Sequence, residues 1–119
     1  MNNNPIENKI NLAKLIEDTF EKQLSNSKIN STKIINDALD KCSEDDVNCE
    51  DEDGFTPLEV ASSYLNPIYH ESIIYDVLNV IDSLLCSGAK KDKMDDNRRL
   101  TDIYCAAKDC DRDDLANML

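Results

Sequence analysis

Asp53-Gly54-Phe55-Thr56-Pro57-Leu58-Glu59-Val60-Ala61-Ser62 is a turn that runs straight into a helix. Gly54 marks the turn. Thr56 is a capping residue, and Pro57 suits a first helical turn, where its missing N–H costs nothing. Leu58, Val60 and Ala61 supply an inward face. A second segment aligns with this one, Arg98-Arg99-Leu100-Thr101-Asp102-Ile103-Tyr104-Cys105-Ala106-Ala107. It also precedes an apolar helix, with Asp102 in place of the proline.

The flanking sequence reads as helical on both sides. Residues 5–24 carry Pro5 at a first helical position and Ile6, Ile10, Ala13, Leu15 or Ile16, Phe20 and Leu24 at three- or four-residue steps. A polar connector, 25–30, leads to Ser31, a candidate N-cap. The helix after it runs to about Cys42, with Ile34, Ile35, Ala38 and Leu39 on one face. Residues 43–54 are almost all acid and read as a solvated loop. The stretch 64–70, containing Pro67, interrupts the helix begun at Pro57. Residues 71–87 carry Ile73/Ile74, Val77/Leu78, Ile81 and Leu84/Leu85, and Gly88 ends that helix as a left-handed cap. A charged loop, 90–99, precedes a short helix starting at Thr101, with Asp102 in its first turn. A last helix covers about 111–119, with Leu115, Met118 and Leu119 inward. The expected class is all-α.

Each helical hairpin has an apolar face too large to leave wet and too small to form a core alone. Stacking buries such faces against their neighbours. Small residues at Ala61, Ser62, Ala106 and Ala107 suit close approach of the short helices. Glu17, Glu21 and Lys22 suit a soluble outer face on the first hairpin.

At 119 residues the chain fits one modest core or a short stack. The net charge of −12 sets it against phosphate backbones and anionic lipid, so neither nucleic acid nor membrane is an expected partner. No apolar run reaches the roughly 18–20 residues of a membrane span, and the polar start at Met1-Asn2-Asn3-Asn4-Pro5 predicts no secretory signal. Five irregularly spaced cysteines then read as reduced thiols. The abundance of Asn, Lys and Ile is a bias that AT-rich genomes produce, and it carries no functional information.

The two aligned segments resemble the ankyrin repeat, whose signature is a turn glycine, then Thr-Pro-Leu-His, then paired alanines. Leu84-Leu85-Cys86-Ser87-Gly88-Ala89 looks like the family's Leu-Leu-x-x-Gly-Ala ending, and Asp46-Val47-Asn48 looks like its Asp-Val-Asn loop. The resemblance implies a single ankyrin-type α-solenoid of about three repeats, at 5–48, 51–90 and 95–119, the first and last being degenerate caps. The second carries an insertion at 63–73, which includes Leu65-Asn66-Pro67-Ile68-Tyr69-His70. Glu59 and Tyr104 replace the usual His, so its hydrogen bond to the loop is expected to be altered or lost. Arg99 falls at the glycine position, which implies a strained or differently turned third loop.

The resemblance also implies a non-enzymatic protein–protein interaction module that works through loop tips and inner helices. The residues carried over are Glu52, Asp53, Phe55, Ser63 and Tyr64 from the second repeat, and Asn97, Arg98, Leu100, Lys108 and Asp109 from the third. The acidic second loop implies a partner with a basic patch. Phe55 has two readings, as cover for the core or as an exposed anchor. The alternatives are self-association through the C-terminal end, a fragment of a longer array, and an effector that regulates a host protein. A cytoplasmic location is implied, inside a host cell if the source is an intracellular bacterium.

Competing chemistries are weaker. Asp51, Asp53 and Gly54 match an EF-hand loop's third, fifth and sixth positions, but Cys49 and Val60 fall where its first and twelfth ligands belong. His70, Cys42, Cys49, Cys86, Cys105 and Cys110 contain no C-x-x-C pair for zinc, and Cys105 falls on a face expected to be buried. Nucleophilic catalysis would need Cys86 or another thiol beside His70, the single histidine. Lys90, Lys91, Lys93, Arg98 and Arg99 form the one basic cluster, with Asp92, Asp95 and Asp96 as local charge partners. No metal or cofactor is expected.

Overall fold

The computed structural model describes residues 11–26, 28–91, 94 and 97–119, and among these the chain forms seven helices and no strand. They are α1 (Leu12–Ser25), α2 (Ser31–Leu39), α3 (Glu44–Val47), α4 (Pro57–Ser62), α5 (Glu71–Cys86), α6 (Asn97–Asp109) and α7 (Asp113–Ala116). Pro5, Ile6 and Ile10 of the expected first helix lie outside the described residues, as do Asp92, Lys93, Asp95 and Asp96 of the charged loop.

Local chemistry starts these helices. Asn11 caps α1 by accepting from the Lys14 N–H, and Asn30 caps α2 by accepting from the Lys33 N–H. The cap of α2 is therefore Asn30 rather than Ser31, which is buried within the helix. Residues 43–47 are not the loop their acidity suggested. Ser43 and Asp46 form a reciprocal capping box, and Glu44, Asp45 and Asp46 suit the positive end of the short helix α3. That turn buries Val47.

Thr56 and Glu59 make a second capping box at α4, with Pro57 in its first turn. His70 caps α5 through Nδ1, which accepts from the Ser72 N–H. Gly88 ends α5 with φ +100°, and a Cβ there would stand 3.0 Å from Glu44 Cγ.

α6 begins at Asn97, four residues before the expected start, so Thr101 and Asp102 lie within the helix. Arg98-Arg99-Leu100 holds neither glycine nor proline, and all three are good helix formers. Arg99 is accordingly helical, and the expected turn at that position is absent. The left-handed non-glycine position among the described residues is Asp111, φ 58°, just after α6. There the Arg112 N–H reaches back to the Ala107 carbonyl at 2.7 Å. The last helix is shorter than expected, though Leu115 is buried and Met118 and Leu119 pack at the core's edge.

α1 packs against α2 and α4, α2 against α5, α4 against α5 and α6, and α6 against α5 and α7. One apolar cluster runs through these contacts, from Leu12, Ile16 and Phe20 through Leu58, Leu78 and Ile81 to Ile103 and Leu115.

Polar joints fix the helices against one another. At one, Gln23 donates to Asp76 Oδ2 at 2.6 Å, Thr32 donates to Asp76 Oδ1 at 3.1 Å, and Ser31 donates to Gln23 Oε1. This ties α1 and α2 to α5. At another, Arg112 Nη2 pairs with Asp82 at 2.8 Å and Nη1 donates to Asn79 at 2.7 Å, which holds the start of α7 on α5.

Candidate docking groove

The loop before α4 is built around one side chain. Asp51 Oδ1 accepts from the Asp53 N–H at 2.9 Å and from the Phe55 N–H at 3.0 Å. The Asp51 N–H also donates to the Phe55 carbonyl at 2.8 Å, closing the turn. Gly54 takes φ +87° with open space beside it, so conformation and not room requires glycine there. This turn leaves Glu52, Asp53 and Phe55 exposed; Phe55 keeps 41% of its surface.

Phe55 stands at a groove of about 210 Å³ between α1, this loop, α4 and α6. Glu17, Asp51, Asp53 and Ser63 line it, with Val60 and Tyr64 in its apolar wall. Arg99 enters from α6, with its guanidinium carbon 5.7 Å from the Phe55 ring centroid, and its Nη1 donates to the Glu59 carbonyl at 3.2 Å. The Glu59 side chain turns inward instead. Its Oε1 accepts from the Thr56 N–H at 3.0 Å and the Thr56 hydroxyl at 3.2 Å. These bonds close the Thr56–Glu59 capping box at the start of α4.

The groove gathers Asp53, Phe55 and Ser63 from the expected surface. Tyr64 also lines the groove, but from a buried position. It is 6% exposed, its ring lies 5.2 Å from that of Phe20, and its hydroxyl donates to Glu21 at 2.7 Å. It forms part of the groove wall, with most of its ring buried. Burial and the Glu21 carboxylate push its phenol above the ordinary range.

Leu100 is half-buried against the core. Lys108 is exposed and paired with Asp113 at 3.0 Å, and Asp109 faces a separate cavity. Asn97 and Arg98 lie in the first turn of α6, and their side chains fall outside what the structure describes. Glu17, Asp51, Val60 and Arg99 were not foreseen as site residues. Glu17 carries no local signal, since only the packing of α1 on α4 brings it there.

His70 and Cys86 sit at opposite ends of α5, about 24 Å apart at a 1.5 Å rise per residue. Cys86 hydrogen-bonds Asp82, which raises its thiol pKa. Cys105 is exposed, contrary to expectation, and all five cysteines are free. Among the described residues no three His, Cys, Asp or Glu side chains converge as a metal would require. No helix among them is long and apolar enough to cross a membrane. Comparison of the chain with known protein families, with curated proteins and with solved structures gives no match.

Proposed function

We propose that this chain is a non-enzymatic protein-docking module, arranged as a short ankyrin-type stack, that receives a basic segment of another protein. The stack reading is supported by helix order. α1, α4 and α6 follow one another in contact, and α2 packs on α5. Thr56 at the cap of α4 and left-handed Gly88 after α5 are compatible with the resemblance, whereas Asp46-Val47, matched to its loop, ends the helix α3. Residues 97–100 depart from the resemblance, being helix where a turn belongs.

The observation that carries the docking reading is Phe55, a bulky apolar ring left exposed beside Glu17, Asp51 and Asp53. Acid around an aromatic face favours a guanidinium or ammonium. Arg99 over the same ring is a cation already held in that manner.

The probe is a short arginine–alanine peptide, titrated at low salt against a glutamate–alanine control and followed by amide chemical shifts. The arginine peptide is expected to shift Phe55 and Ser63, more weakly as salt rises and more weakly in Phe55→Ala. An unchanged response after reversing Glu52 and Asp53 to lysine would remove the assignment.

Self-association has its own observation, since Tyr75 and Tyr104 keep 42% and 46% of their surface. A net charge of −12 opposes pairing of like copies. Light scattering across a concentration series separates the two readings, with a monomer at high micromolar concentration favouring docking.

A further inference from the structure

A second cavity, about 370 Å³, opens between the inserted stretch after α4 and the face of α6. Leu65 and Pro67 form one wall and Ile74 of α5 the back. From α6 come Asp102, Cys105, Ala106 and Asp109, with Cys110 just after it, so Cys105 and Ala106 lie between the two carboxylates along the helix. Those carboxylates are seven residues apart on one helix, so they share a face about 10.5 Å from each other. Along α6 the two acids thus flank Cys105 and Ala106, and Cys110 follows the second acid. A shallow trough touching Ser63, Arg99, Leu65 and Asp102 joins this cavity to the Phe55 groove.

We propose that this cleft is a second docking subsite, which takes an apolar side chain of the partner flanked on both sides by lysine or arginine. The occupant follows from charge and size. Two carboxylates flank Cys105 and Ala106, so a cation belongs beside each acid and a hydrocarbon between them. An extended chain advances about 3.3 Å per residue, so basic residues one or two positions either side of the anchor reach both acids. The volume is near the lower end for small-molecule sites, about 300–1,000 Å³, which suits a side chain better than a large ligand. A second copy of this chain is a poor occupant, because it brings the same −12 charge. The trough lets one segment run from the Phe55 groove into the cleft, so a single partner fills both. The subsite rests on the docking reading for the identity of its occupant as polypeptide.

The test titrates the whole chain with three blocked pentapeptides, KGLGK, KGAGK and EGLGE, and reads amide shifts. Saturable shifts at Leu65, Asp102, Ala106 and Asp109 are expected for KGLGK at millimolar concentration. They should be about tenfold weaker for KGAGK and absent for EGLGE. D102K/D109K changes exposed residues only and is expected to abolish the response. Ala106→Leu adds bulk to the cleft and should weaken KGLGK binding with the acids intact.

No saturable shift with KGLGK, equal binding of KGLGK and KGAGK, or full binding by both variants overturns the subsite. Phe55→Ala separates the two readings. A KGLGK response at Ala106 that survives Phe55→Ala stands on the cleft alone, whereas an arginine-peptide response at Ser63 of the parent chain with no KGLGK response at Ala106 removes the cleft and leaves the groove.

Discussion

Asn48 and Gly88 stand forty residues apart in the chain, and Asn48 Nδ2 donates to the Gly88 carbonyl at 3.0 Å. The same amide donates to the Glu44 carbonyl, and Asn48 Oδ1 accepts from the Lys90 N–H at 2.8 Å. One side chain thus ties the end of α3 to the chain leaving α5. Asn48→Ala is expected to cost about 1–2 kcal/mol, since three bonds are lost at a site that water partly reaches. Urea unfolding checks this as a lower midpoint at unchanged slope. Gly88→Ala should cost a similar amount, about 1–2 kcal/mol, through its φ of +100° and the approach of Cβ to Glu44.

Asp76 is the acceptor that holds Gln23 and Thr32. Asp76→Ala leaves the amide of Gln23 buried without that acceptor, and a loss of about 2–3 kcal/mol is expected. Thr32→Ala removes only the weaker arm and should cost less. Equal losses in the two variants would contradict the network.

Arg112 pairs with Asp82 and Asp114 and also reaches Asn79. Its hydrogen bond to Asp114 holds that carboxyl below the usual aspartate range. A lowered folded-state pKa gives stability that is present above the unfolded value, near 3.9, and is lost as pH falls through the folded one. Arg112→Met should therefore bring the Asp114 carboxyl back toward its ordinary value, as read by carbon-detected NMR titration. It should also flatten the acid side of the stability profile below about pH 4. An unmoved Asp114 titration would break the link.

Tyr64 gives the opposite sign. Burial and Glu21 raise its phenol above the ordinary value near 10. The folded state then holds the proton more tightly than the unfolded one. That contribution is complete below about pH 10 and is lost as pH climbs through the folded value. Tyr64→Phe should cost about 1 kcal/mol at pH 7 through the lost hydroxyl bond. Its stability should also fall less steeply than the parent's above pH 10. Parallel alkaline profiles would show that Tyr64 is not the group responsible.

Much of the helical layout was legible because its signals are local. Thr56 before Pro57, Gly88 after Leu84-Leu85, and the apolar steps of α5 each need only neighbouring residues. α3 is hidden in the sequence because acids close together look like solvated loop, while a Ser43–Asp46 box makes the same residues a helix start. The start of α6 is hard to read because Thr101 aligns with Thr56, although the second segment lacks the glycine that makes the first a turn. The groove was half legible. The Asp51–Phe55 turn is local, so the exposure of Asp53 and Phe55 is legible from the sequence. The burial of Tyr64 against Phe20, a residue of another helix, has no local signal, and Glu17 and Arg99 reach the groove only through packing.

The trio of Ser31, Gln23 and Asp76 has a mechanical consequence. Apolar ridges alone would let the first two rods slide along α5 at little cost. A slip of one residue would strand the Gln23 amide in a place water cannot enter. The joint is keyed like a shaft in its slot, and Glu17's place in the groove beside Phe55 depends on that key.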